Sequence, residues 1–165
     1  MDNNDVLRRV RFILDLSDDQ MMATFAAAEH PVTRTEVSAW LKKDEDPDLV
    51  PCSNVMLATF LNGLINRRRG KKDGPQPAPE TRLTNNMVFM KLRIALDLKA
   101  DGVLEILGLT EFMMSRHELS ALFRKPNHKH YRECQDQVLR NFLRGLQIKL
   151  RPDAGWGPNA AVEDH

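Results

Sequence analysis

At 165 residues, 42% of them hydrophobic, the chain is long enough for one domain or two small ones and can build a core. Charged residues make up 28% and nearly cancel to a net charge of +1, so no global field of either sign draws the chain to nucleic acid or a membrane surface. No run of about 18 apolar residues occurs, and "MDNNDVLRRVRF" lacks the basic-then-apolar order of a signal peptide, so the expected setting is the cytoplasm, with no membrane partner and both cysteines as free thiols.

In chain order, the first helix is expected at "NNDV", with Asn4 accepting from the free N–H groups of the first turn and Val6, Leu7, Val10, Ile13 and Leu14 recurring at helical spacing. Asp19 is the expected cap of a second helix rich in Met and Ala. A capping box, Thr33-x-x-Glu36, opens a third helix whose apolar stripe is Val37, Trp40 and Leu41. A fourth carries Leu57, Phe60, Leu61 and Leu64. Residues 68–84, "RRGKKDGPQPAPETRLT", hold Gly, Pro and charge without apolar periodicity and read as a linker. The same four helices then return. "NNMV" with Asn86 precedes Val88, Phe89, Leu92, Ala95 and Leu96, and Asp101 is the next expected cap. Ser115-x-x-Glu118 precedes Leu119, Leu122 and Phe123, and Leu139, Phe142, Leu143 and Leu146 close the series. The tail, 152–165, has linker-like composition and is expected to be poorly ordered. No segment alternates with period two, so the fold class is all-α.

The return is a duplication. Residues 3–67 lie over 85–149 at one constant offset without a gap, and "TRTEVSAWLKK" is matched by "SRHELSALFRK". Identities include Asn3/Asn85, Asn4/Asn86, Arg11/Arg93, Asp15/Asp97, Glu29/Glu111, Cys52/Cys134 and Gly63/Gly145. Such a unit is too long for a solenoid repeat and marginal as a lone domain. The expected architecture is a duplicated four-helix unit, its two copies packed with approximate two-fold symmetry. The divisions are 1–67, the basic linker 68–84, 85–151 and the tail 152–165. Gly63 and Gly145 mark either a close crossing where the copies meet or plain helix ends.

The stretches "NNDVLRRVRFILDL", "TRTEVSAWLKK", "FLNGLI", "KLRIALDLK" and "HKHYRECQDQVLRNFLRGL" resemble the YehS-like proteins of bacteria, small proteins made of two tandem copies of a domain of unknown function. The resemblance covers residues 3 to about 150. It implies the duplicated helical architecture and brings no activity, cofactor or catalytic residue with it.

Candidate chemistry is sparse. His128, His130 and Cys134, with His117 upstream, invite a zinc reading, since zinc takes four N or S ligands in short paired spacings. The first copy keeps only Cys52 of that set, so the shared cysteine reads as a small buried hydrophobe and no metal is assigned. Arg11–Asp15 and Arg93–Asp97 stand four apart and are expected as ion pairs on one helix face, at the seam between the copies. No nucleophile elbow, phosphate loop, zincin motif or dinucleotide fingerprint occurs. A non-enzymatic protein without a cofactor is the reading.

Charge is distributed unevenly: the first copy is net acidic, whereas the linker and the second copy are net basic. The second and third helices of each copy, joined by "EHPV" or "EFMM", can form a helix-turn-helix. The leading functional reading is therefore a nucleic-acid-binding or regulatory module that contacts DNA or RNA through Arg67, Arg68, Arg69, Lys71, Lys72, Arg116, Arg124 and Lys125. On the third helix of the second copy, Arg116, Ser120, Arg124 and Ala121 are laid outward. The alternative is an adaptor for a protein partner, or a self-associating homodimer, with Met21, Met22, Met56, Met113 and Met114 as an adaptable apolar surface.

Overall fold

The structure, a computed structural model, describes residues 1–154. Eight α-helices and no strand occupy them: α1 (Asn3–Ile13), α2 (Asp18–Ala27), α3 (Arg34–Trp40), α4 (Asn54–Arg69), α5 (Asn85–Ala95), α6 (Ala100–Gly108), α7 (Arg116–Leu122) and α8 (Asp136–Leu150). Pro152–Ala154 adds a short 3-10 turn, so part of the expected loose tail is folded; residues 155–165 lie outside the described residues. No helix among the described residues is long and apolar enough to cross a membrane.

The capping boxes Thr33/Glu36 and Ser115/Glu118 form as the sequence predicts. The carboxyls of Glu36 and Glu118 are held below the usual range because the Thr33 and Ser115 backbone N–H groups donate to them. Other expected caps move. Asp2 and Thr84 cap α1 and α5, while Ser17 and Lys99 stand at the starts of α2 and α6, displacing Asn4, Asn86, Asp19 and Asp101 from that role. The helix ends are unusual. Asp15, Glu29, Asp97 and Glu111 all adopt left-handed φ values, 53° or 60°, in the position that glycine normally fills. At each, the residue's own N–H and the one after it turn back onto the last turn of the helix: Asp15 donates to the Phe12 carbonyl and Leu16 to the Arg11 carbonyl. The expected Arg11–Asp15 and Arg93–Asp97 pairs therefore do not form as helix-face pairs, because α1 and α5 end before the aspartates. Arg11 and Arg93 instead donate through Nε to the Leu16 and Leu98 carbonyls, bracing the turn.

α1, α4, α5 and α8 make the centre of the molecule, with α4 lying on α5 and α8 on α1. Their amino-terminal ends meet: Asn3 donates to Asn54, Asn54 to the Thr81 carbonyl, Asn85 to Asp136, and the amino terminus to Asp136. Their carboxy-terminal ends meet as well, through Arg69–Asp97 at 3.2 Å and Arg151–Asp15 at 3.5 Å. All four central helices therefore run parallel. The two ion pairs occupy matched repeat positions and each crosses from one copy to the other, the reciprocity expected of a two-fold arrangement. The pseudo-axis runs along the bundle. The parallel course is possible because α2 and α3, and likewise α6 and α7, carry the chain back outside it. Arg34 at the start of α3 pairs with Asp18 and Asp19 of α2, whereas the Trp40 carbonyl at its other end is held by Asn4 of α1.

The core is continuous across both copies. Phe25 packs between Trp40 and Phe60 at 5.4 and 5.3 Å, and Phe89 packs edge-on to Phe123 at 5.1 Å and tilted against Phe142 at 4.4 Å. Each such fully buried ring contributes roughly 1.5–3 kcal/mol. Gly63 and Gly145 sit at close crossings, but inside each copy rather than between copies. A methyl at Gly63 would overlap the Thr24 carbonyl of α2, and one at Gly145 the Ile106 carbonyl of α6.

The linker is tied down. α4 continues through Arg69, and the chain then turns at Gly70 (φ 94°) and runs back along α4. Gln76 accepts from Asn66, Glu80 pairs with Lys91 at 3.1 Å while Lys91 donates to Asn62, and the Thr81 carbonyl accepts from Asn54.

Candidate functional site

Buried at the amino-terminal end of the bundle, Asn4 organises the loop that follows α3. Its amide nitrogen donates to the Trp40 and Val50 carbonyls at 2.8 and 3.0 Å, and its oxygen accepts from the Cys52 N–H at 3.0 Å. Asn86 repeats every bond, donating to the Leu122 and Arg132 carbonyls and accepting from the Cys134 N–H. Each loop is thereby pinned at both of its ends to the first turn of a central helix. Because those helices are parallel, the two loops share one end of the molecule and flank the pseudo-axis.

Their charges are opposite. The first loop carries Asp44, Glu45, Asp46 and Asp48 on an exposed or half-exposed segment, with only the amino-terminal pair Lys42 and Lys43 against them. Over the matched segment of the second copy, Arg124 and Lys125 stand where Lys42 and Lys43 do, and the four acidic positions become Pro126, Asn127, His128 and His130. Lys129 and Arg132 are added, with no acidic residue between Arg124 and Arg132. Lys125, Lys129 and Arg132 are exposed, and Val50 stands 46% exposed at the edge of the acidic loop. On the acidic side Asp5 and Asp44 are bridged by Arg8, at 3.1 Å to Asp44, and with Asp2 they form the group of three carboxylates whose oxygens lie within 4.8 Å of one another. Arg8 supplies the countercharge.

The predicted basic residues are not brought together. Arg67 donates to the Gln20 carbonyl and Thr24 hydroxyl, both at 2.9 Å. Arg69 is committed to Asp97, Lys71 to Glu29 at 2.8 Å, and Arg116 to Asp101. Arg68 and Lys72 are exposed at the carboxy-terminal end of α4. Arg124 and Lys125 lie at the opposite end of the bundle from Arg69, past the end of α7, so the helical layout that placed Arg124 outward does not extend to it. Arg124 is half-buried, its Nε shielded without a hydrogen-bond partner. Ala121 is also inside rather than outside, because Arg132 donates to its carbonyl and folds the loop over it.

The histidines gather without the cysteine. The His130 ring lies near those of His117 and His128, with centroids 6.4 and 5.5 Å away, and its backbone N–H donates to His128 Nδ1. Cys134 and Cys52 are buried, and burial pushes each thiol up to about 12. Met21 is fully buried, Met22, Met56 and Met114 pack partly buried against the core, and Met113 is 85% exposed. Sequence reasoning missed Lys129 and Arg132, and it missed the acidic loop as their counterpart. The signal was present in the repeat itself, as the loss of all four acidic residues between aligned segments and the gain of Lys129 and Arg132.

A family model described as "Protein of unknown function (DUF1456)" matches residues 3–70 and again 85–151. "Uncharacterized protein YehS" of Escherichia coli (strain K12) is 43% identical over 154 residues, which cover 93% of this chain and 99% of that protein. No solved structure matches.

Proposed function

This chain belongs to the DUF1456 family, and from that premise we propose that it is a non-enzymatic protein-interaction module of the cytoplasm, working through the amino-terminal end of its bundle. The observation that carries this reading is the opposed charge of two matched loops held on one face. A surface bearing both signs side by side discriminates between partners by electrostatic complementarity, since a wrongly charged partner meets repulsion on one half or the other. A uniformly anionic nucleic acid would be attracted by the basic loop and repelled by the acidic one. Four of the eight basic residues first expected to contact phosphate are also engaged inside the chain.

Nucleic-acid binding through the second copy is the competing reading, favoured by the unbroken basic character of residues 124–132. One measurement separates the two. Fluorescence anisotropy of labelled duplex DNA and single-stranded RNA, at about 150 mM salt, is expected to show no binding by micromolar protein. Saturable binding that weakens when Arg116, Arg124 and Lys125 are neutralised would overturn the interaction-module reading in favour of nucleic acid.

A further inference from the structure

We propose that the partner of this end face is the same face of a second copy of the chain, joined in a closed two-fold dimer; the proposal rests on the interaction-module reading. The geometry points to this occupant because the face is complementary to itself. The acidic and basic loops stand on opposite sides of a pseudo-axis that runs along the bundle. A second molecule, turned over about an axis lying across the end face, sets its basic loop over the first molecule's acidic loop. The same rotation sets its acidic loop over the first molecule's basic loop. Both contacts are made at once, and the assembly closes on itself without leaving a charged loop to recruit a third molecule.

Lys125, Lys129 and Arg132 on one side, and Glu45 and Asp48 on the other, are exposed and available for this pairing, whereas Asp44 is already engaged by Arg8. The loops need no refolding to meet, since Asn4 and Asn86 already fix their ends. The end of a four-helix bundle is roughly 20 Å across, with axes about 8–10 Å apart. That places the contact among small interfaces, where binding is weak and reversible. Its driving force is largely electrostatic between exposed groups, so salt screens it strongly.

The test is sedimentation velocity on the full chain across a concentration series, at low salt and at high salt. A monomer–dimer equilibrium is expected at low salt, with the dissociation constant rising about tenfold or more at high salt. One variant carries Lys125→Glu, Lys129→Glu and Arg132→Glu; a second carries Glu45→Lys and Asp48→Lys. Each alone is expected to be monomeric, and mixing the two is expected to restore a one-to-one dimer, which also shows that both variants fold. Wild-type protein that stays monomeric at low salt would overturn the proposal, as would dimerisation indifferent to both charge reversals, open-ended polymers, or reversed variants that fail to pair. A monomeric protein that binds no nucleic acid would sink the self-pairing and leave the interaction-module reading standing. Nucleic-acid binding would remove that reading itself.

Discussion

Asn4 and Asn86 leave the cap position to Asp2 and Thr84 because their amides serve a more demanding purpose one residue deeper. Each is buried and satisfies two carbonyls and one N–H of a loop that would otherwise leave those groups unpaired. A buried unpaired polar group costs about 1–3 kcal/mol, so the asparagine is the loop's anchor. Glu29 and Glu111 raise the opposite issue. A left-handed φ of 60° strains a residue with a long side chain, and strain of this kind costs of order 1–3 kcal/mol. Glu29 is also held by Lys71, which makes Glu111 the cleaner test. Glu111→Gly is expected to raise stability by ~1 kcal/mol once the greater freedom of glycine in the unfolded chain is deducted. Urea unfolding checks this; a lower midpoint would mean that the glutamate side chain contributes more than the strain it carries.

Helix crossings are set by what each element can bring close. α4 and α8 approach α2 and α6 so tightly that only hydrogen fits between Gly63 and the Thr24 carbonyl, or between Gly145 and the Ile106 carbonyl. The obstacle is backbone, which cannot rotate away, so Gly145→Ala is expected to cost ~3 kcal/mol. Gly102 supplies the control. A Cβ there meets nothing closer than Leu98 Cδ2 at 3.5 Å, so Gly102→Ala should stabilise α6 by up to about 1 kcal/mol through helix propensity alone. Opposite signs in the two denaturation curves are the expected outcome. Equal effects would show that the crossing relaxes more easily than its geometry suggests.

At the scale of the molecule, the two copies share one core and are joined at both ends of the bundle. Arg69–Asp97 and Arg151–Asp15 tie the carboxy-terminal end, Arg151 lying also over the Phe12 ring at 4.6 Å. The strap from Gly70 to Thr84 is secured to α4 and α5 on the way back. A protease site inserted after Gly74, where φ is 91° and the chain is exposed, should therefore be cut without separating the halves. Each half expressed alone should fail to unfold cooperatively, because a unit of this size buries too little apolar surface. Size-exclusion chromatography after cleavage, and melting of the isolated halves, check both expectations; halves that part and melt cooperatively on their own would contradict them.

What the sequence determined by itself was local or periodic. The duplication is written in aligned identities, the helices in apolar spacing, and the third helix of each copy in a capping box that needs only three residues to complete. Each of these signals depends on neighbours within a turn or two. The role of Asn4 could not be read that way, because its partners lie 36 to 48 positions along the chain and only the packed bundle brings them to it. Asp15 and Asp97 looked like partners of the arginines four residues before them. A left-handed helix end, with no glycine to announce it, turned them toward Arg151 and Arg69 of the opposite copy. The opposite charges of the two loops were likewise present in the letters. That they stand side by side on one face was decided by tertiary structure alone, since it follows from four central helices running parallel about a shared axis.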